Sequence, residues 1–397
     1  MQVKPTLTRA ARILAGALCA LTLAVAPTLS GAADPYEIYS IQAMTGGLSF
    51  VGKSGGDALA AYETYFNKNG GINGRPIHFV LEDAATNPAI ALQLVNDLGA
   101  KHLPFIMGPT SAAECNAVYA TAKTGPVIWC YSSAVNGTPG SFEFQTSATN
   151  YDYNVAAMRW LRDRHLTRIA LITPTDATGQ AYDKALFNIL ELPENKAITL
   201  VDHEHFAPGD VSVDAQISKI RGSGAQVLIV GTAGSPAGVA FHGVTDVGLD
   251  IPVITGNGNA SQAFMKQYAA ILPKELYVET THCLAPSAIT DKNEKAAYDA
   301  YVGAMTAKGI PVDCQQSLAW DPALLLTTAL QHVGTDTSPE KLRAYLAGMH
   351  GVAGVNGTYD FRRVPQRGID NGAVVIVRWN ETNGTWVPAS KPGGAPL

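Results

Sequence analysis

Four hydroxyl residues sit directly after two short apolar runs and offer the chain's clearest chemistry. Thr110-Ser111 follow residues 105–107, and Ser132-Ser133 follow residues 127–130. Residues 112–124 between them read as a helix stopped by Gly125-Pro126. In an open α/β sheet, ligands bind beyond the carboxyl ends of the strands, where loop hydroxyls and helix N-terminal amides converge. All four hydroxyls would lie there, as a cradle for a carboxylate. The plainer reading is that they only cap helices, as most small hydroxyls in such turns do. Cys115, on the first turn of the helix, and Cys130, at the end of the next strand, share that edge, within disulfide reach in a parallel unit.

Bulk properties narrow the setting. The chain has 397 residues, 47% hydrophobic and 15% charged, enough for two ordinary domains with a large core. Its first 33 residues read as a secretory leader: basic residues 4–12, an apolar 13–25, then small residues at Gly31-Ala32-Ala33. The apolar part is too short to span a bilayer comfortably, and Leu18 before Cys19 does not match a lipid-attachment site. Losing Lys4, Arg9 and Arg12 with the leader takes the formal charge from −5 to about −8, which argues against nucleic acid or an anionic membrane as partner. Cys115, Cys130, Cys283 and Cys314 remain, an even count that suits an exported protein with disulfides. Three connectivities are open; the pairing expected is Cys115–Cys130 with Cys283–Cys314.

Three other patterns carry less. Gly47 to Ser54 (GLSFVGKS) matches the P-loop pattern after a strand, and residues 79–83 could pass for an acidic metal-holding strand. An exported chain has no ATP supply, so a Gly-rich binding loop or plain turn is the better reading. His203-Glu204-His205 puts two imidazoles on one strand face, but no third ligand sits at useful spacing, so no metal site is expected. The nine histidines show no hydrolase arrangement. Arg362, Arg363 and Arg367 read as a solvated basic loop, with contact to a membrane partner as the other reading.

The elements that must position these groups alternate. Residues 36–43 read as a strand and 46–56 as a Gly-rich loop. Residues 57–67 have helical apolar spacing, and Asn73-Gly74 turns into the strand 77–82. Strands and helices then alternate through residue 281, the pattern of a parallel sheet covered on both faces. After Cys283 the pattern changes to helices at 292–308, 321–333 and 339–348, with a late strand at 372–379. No linker separates two halves, so two interleaved lobes with several crossings fit better than consecutive domains.

Several segments together resemble periplasmic leucine/isoleucine/valine-type binding proteins. They are Ile41-Gln-Ala-Met-Thr-Gly46, the Asn69-Gly-Gly-Ile-Asn-Gly74 turn, Glu82-Asp83 with Asn87-Pro88, the Gly108-Pro-Thr-Ser turn and residues 253–258. The resemblance covers nearly all of the chain after the leader. It implies a type I periplasmic binding fold: two doubly wound α/β lobes, a three-stranded hinge, and a ligand closed between them. The lobes would be residues 34–150 plus 282–360 and residues 151–281 plus 361–397. Carried over by position, the carboxylate cradle falls at Ser111 or Ala112, Ser132 and Ala134. A covering loop falls at Phe50 or Val51, and the closing aromatic falls at Thr178. The next loop is Ala233-Gly234, and the acid that holds an α-ammonium falls at Asn257-Gly258. The family tyrosines are thus replaced and the acid is missing, although a shift in alignment could hide one such as Glu279. A buried ammonium without an anion is costly, so a carboxylate lacking an α-amino group, such as an aromatic acid, is the expected ligand.

The resemblance implies a periplasmic substrate-binding protein of an ABC importer: a monomer without catalytic activity or cofactor that works with a membrane permease. A ligand sensor of the same fold and an exported enzyme are the competing classes.

Overall fold

The structure, a computed structural model, describes residues 1–2 and 34–397. The expected leader, with Lys4, Arg9, Arg12 and Cys19, otherwise lies outside the described residues. Pro35–Leu397 form one compact unit.

Two sheets organise it. The first joins β1 (Tyr36–Gln42), β2 (Ile77–Asp83), β3 (Phe105–Met107), β4 (Val127–Trp129) and β5 (Glu143–Phe144) in the order β2-β1-β3-β4-β5, all parallel. Helices α1 (Ser49–Lys68), α2 (Pro88–Gly99) and α3 (Ala112–Tyr119) are its crossovers. After α4 (Asn150–Asp163) come β6 (Arg168–Pro174), α5 (Ala177–Leu190), β7 (Thr199–Phe206), α6 (Asp214–Gly222) and β8 (Val227–Val230). Then follow α7 (Ser235–Val247), β9 (Val253–Thr255), α8 (Gln262–Gln267) and β10 (Leu276–Thr281). The five strands of this second run pair in the order β7-β6-β8-β9-β10, again parallel. Both sheets therefore reverse direction between their first and third strands, and ligands bind beside such a reversal.

The chain then leaves the second sheet. Helices α9 (Lys292–Ala307), α10 (Ser317–Val333) and α11 (Pro339–Gly348) precede a hairpin of β11 (His350–Ala353) and β12 (Thr358–Asp360). Helix α10 packs on α1, where the ring of Trp320 meets Tyr62 edge-on at 4.9 Å. The chain returns as β13 (Val374–Asn380) and β14 (Thr385–Pro388), which extend the second sheet antiparallel from β10. It thus passes three times between the sheets.

The three passages are bound to one another. Buried Arg367 donates to the carbonyls of Ser147 and Val135, and the Gln145 amide donates to the Gln366 carbonyl at 2.9 Å. The Thr281 hydroxyl donates to Asn356 at 2.6 Å. Asp321 accepts from the amides of Val355 and Asn356 and from the Tyr359 hydroxyl, which fixes the hairpin to α10. The solvated basic loop expected from Arg362, Arg363 and Arg367 holds for the first two only. Arg362 and Arg363 are exposed and pair with Asp360 and Asp370, while Arg367 is a buried tie between passages.

Residues 46–56, expected as a loop, are mostly helix. The reason is close packing: a Cβ on Gly52 would lie 2.1 Å from the Ala43 carbonyl oxygen, and one on Gly55 2.8 Å from the Gln42 side chain. These glycines let α1 lie against the end of β1, and turn geometry has no part in it. The P-loop match fails with the loop, since α1 begins at Ser49 and carries Lys53 outward on its exposed face. The two disulfides are Cys115–Cys130 and Cys283–Cys314, with Cα separations of 6.0 and 5.6 Å. No helix among the described residues is long and apolar enough to cross a membrane.

Candidate functional site

A cavity of about 390 Å³ lies between the carboxyl ends of the two sheets. Every parallel strand contributes to its wall. From the first sheet come Gly47 and Leu48 after β1, Thr86 after β2, Thr110 to Ala113 after β3, Tyr131 to Ala134 after β4, and Ser147 after β5. From the second come Asp176 and Thr178 after β6, Pro208 after β7, Gly231 to Ala233 after β8, Asn257 and Gly258 after β9, and Glu279 within β10.

The first wall is made of hydroxyls and amides. Ser111 caps α3: its Oγ accepts from the Glu114 amide at 3.2 Å, and Glu114 accepts from the Ser111 amide at 2.8 Å. A hydroxyl keeps its proton to give when it accepts, so the capping role and a ligand role are compatible. The amides of Ala112 and Ala113, at the first two helical positions, lie in the same wall, where helix geometry leaves them without an intrahelical acceptor. Ser132 Oγ accepts from the Ala134 amide at 3.2 Å and likewise keeps a proton. Ser133 donates to Asn150, and Thr110 accepts from the Ala43 amide, so these two are more occupied with the protein itself. Among the described residues no Lys, Arg or His side chain lines the cavity.

The second wall carries the acid. Glu279 is fully buried, and both its oxygens lie 3.3 Å from the Tyr182 hydroxyl. Burial pushes its carboxyl up to about 8, despite the Tyr182 hydrogen bond, so at neutral pH it is largely protonated. Tyr182 stands one helical turn beyond Thr178, whose amide is capped by Asp176 at 3.0 Å. The Asn257 side chain accepts from Thr280 at 2.9 Å. Gly258 is obligatory by contact, because a Cβ there would sit 2.5 Å from that of Ala233. Three buried polar atoms of lining residues, Ser147 Oγ, Tyr153 Oη and Gln315 Oε1, have no partner among the described residues. Each orphaned polar group costs roughly 1–3 kcal/mol, and a polar ligand in this cavity would relieve that.

Eleven positions expected from the sequence meet in this wall: Val51, Thr110, Ser111, Ala112, Ser132, Ser133, Ala134, Thr178, Ala233, Asn257 and Gly258. Phe50 and Gly234 do not line it. Phe50 instead packs at a tilt against Phe264 of α8, with the ring centroids 5.4 Å apart, and Gly234 lies against Gly47. Both therefore join the two halves beside the cavity. The aromatic lining, Tyr131, Tyr153 and Tyr182, was not legible by position. Tyr182 is displaced from Thr178 by one turn, and Tyr131 directly precedes the serine pair. Glu279 had a visible signal: it is the one charge in the expected strand Leu276–Thr281.

The comparisons with known proteins agree with this architecture. The family model for periplasmic binding proteins matches residues 35–385. The chain belongs to the periplasmic binding protein family. Among relatives of this family member is a Leu/Ile/Val-binding protein homolog 3 from Brucella melitensis, 23% identical over 333 residues, which span 81% of this chain and 87% of that one. Similar structures include the branched-chain amino acid transporter substrate binding protein LivJ from Streptococcus pneumoniae in complex with isoleucine. It has a TM-score of 0.72 and 19% identity, covering 89% of this chain and 100% of that one. A solute binding protein of an ABC transporter from Rhodopseudomonas palustris, in complex with benzoate, has a TM-score of 0.75 and 17% identity, covering 91% and 97%. The fold is that of type I periplasmic binding proteins.

Proposed function

We propose that this periplasmic binding protein is the substrate-binding component of an ABC importer and holds a small carboxylate-bearing ligand between two closing lobes. Residues 34–150 plus 282–360 form one lobe and residues 151–281 plus 361–397 the other. The observation that carries the reading is the first wall. Ser111, Ala112, Ala113 and Ser132 line it together, two hydroxyls and two helix N-terminal amides with protons to give, and among the described residues no basic side chain lines the cavity. Donors of this kind stabilise an anion in a water-poor cleft without the desolvation cost of a buried cation. The chain works as a monomer, is exported by a cleaved leader, and delivers its ligand unchanged to a membrane permease that reads the closed shape.

The ligand lacks an α-amino group. Asn257 and Gly258 replace the expected acid, and the protonated Glu279 at the far wall donates a hydrogen bond to a second ligand oxygen or lies against an apolar ring. Glu279 also favours a second reading, in which it ionises to hold the ammonium of an amino acid. Isoleucine and benzoate, bound by the two structures above, represent the two classes.

A thermal-shift screen with amino acids in one panel and aromatic, keto and dicarboxylic acids in the other tests both. A ligand at about 100 times its Kd stabilises by about 2.7 kcal/mol, a readily measured shift. Hits among the acids alone support the first reading, and hits among amino acids support the second. With any hit, Ser111→Ala and Ser132→Ala each weaken binding by ~1.5–3 kcal/mol, the range for hydrogen bonds to a charged group. Calorimetry is the right readout, because Ser111→Ala also removes a helix cap. Unchanged affinity in both variants would remove the cradle from the site.

A further inference from the structure

A second cluster lies outside the cleft, on the face of the second sheet that packs against α5. His203 and His205 alternate along β7, so their side chains share one face. Sequence spacing offers no third ligand for them, but the fold does: Asp183 on α5 reaches over the strand. Its Oδ1 lies 3.2 Å from His203 Nε2 and its Oδ2 lies 3.0 Å from His205 Nε2. The three donor atoms lie within 4.8 Å of one another.

These distances suit a single ion. Ligands about 2.0–2.1 Å from a tetrahedral metal stand roughly 3.3 Å apart along each edge. The two His–Asp separations are near that value but end on different carboxylate oxygens, so a turn of the carboxylate, with small rotations of the rings, would bring one oxygen and both nitrogens around one ion. The groups are also oriented from outside. The Thr173 hydroxyl, on neighbouring β6, donates to Asp183 Oδ1 at 2.8 Å, an outer hydrogen bond of the kind that steadies metal-binding carboxylates. The Phe187 ring meets His203 edge-on at 5.3 Å and limits how far that ring can turn. Exposure falls from 43% at the His205 side chain to 20% at His203 and 15% at Asp183, so the cluster has an open side for water or a further ligand.

We propose that Asp183, His203 and His205 form a binding site for a late first-row divalent cation, with Zn²⁺ as the reference ion. Two imidazole nitrogens and one carboxylate oxygen select such ions over Mg²⁺ and Ca²⁺, which take all-oxygen sites. In the bound form each ring carries its proton on Nδ1 and gives its Nε2 lone pair to the ion, which replaces the present contacts to the carboxylate. The ion clamps α5 to β7. Tyr182, the residue before Asp183 on α5, lines the cavity, whereas none of the three proposed ligands does.

Titration calorimetry of the protein, purified without an added polyhistidine tag, tests this with ZnCl₂, and with MgCl₂ and CaCl₂ as controls. One equivalent of Zn²⁺ binds per chain with at least micromolar affinity, and the controls give no heat. His203→Ala, His205→Ala and Asp183→Asn each weaken Zn²⁺ binding at least tenfold, whereas His242→Ala, at a separate His–Asp pair, leaves it unchanged. Ring ¹⁵N resonances of the unmodified protein give a readout that depends on no variant: those of His203 and His205 shift with added Zn²⁺. Absence of saturable Zn²⁺ binding would overturn the proposal. So would full binding in the His203→Ala/His205→Ala double variant, or shifts confined to other histidines.

Discussion

Glu279 is where burial and ionisation most directly oppose each other. Its carboxyl is raised from an ordinary 4.5 to about 8 by loss of water. Below about pH 4.5 it is protonated whether the chain is folded or unfolded, and its contribution is fully present. Between there and about pH 8 the unfolded chain releases the proton and the folded chain keeps it, so stability falls as pH rises, by up to about 1.4 kcal/mol per pH unit. Asp313, raised to about 6, acts with the same sign over a narrower window. The unliganded Tm should therefore fall from pH 5 to pH 8, and Glu279→Gln should flatten that fall while leaving the Asp313 part. An equal slope in the variant would assign the loss elsewhere. At this scale the sequence was half legible. The hydroxyl pairs Thr110-Ser111 and Ser132-Ser133 announce themselves by position after apolar runs, whereas Tyr153 and Gln315 reach the cavity from elements whose packing no local pattern records.

At the scale of elements, regular alternation made the strands and their carboxyl ends readable, and the cleft followed from them. The error over residues 46–56 has a physical cause. Glycine lowers helix propensity by about 1 kcal/mol against alanine, so five glycines in that window read as a loop. Tertiary contact overrides this, because α1 must approach β1 more closely than any side chain allows. Gly52→Ala would drive a Cβ to 2.1 Å from backbone oxygen, and overpacking of this kind costs about 1–3 kcal/mol. Gly303→Ala, on exposed α9 with nothing within 4 Å of its Cβ, should stabilise by about 0.4–1 kcal/mol. Urea denaturation of both variants checks the contrast. Two losses of equal size would mean that helix propensity, rather than contact, rules both sites.

For the molecule as a whole, contacts beside the cavity hold the halves together. They are Phe50 on Phe264, Gly234 against Gly47, and Asp313 accepting from Ser261 and the Gln262 amide at 2.9 and 2.7 Å. These are the contacts that closure would form, so ligand and closure share one free energy. Small-angle scattering should give a smaller radius of gyration with a saturating hit from the screen, and Phe50→Ala should weaken affinity although its ring lies outside the cavity wall. A ligand-independent radius together with unaltered affinity in Phe50→Ala would count against the clamp.

The three passages between the sheets also bear on how the chain is made. The α1 face that backs the first sheet waits for Trp320, and the β10 edge waits for β13, which begins at Val374. A nascent polypeptide emerging from its N-terminus can thus complete neither half early. Truncation ahead of Val374 would leave the second half without its edge strands, and only truncation ahead of Trp320 would leave both halves unfinished.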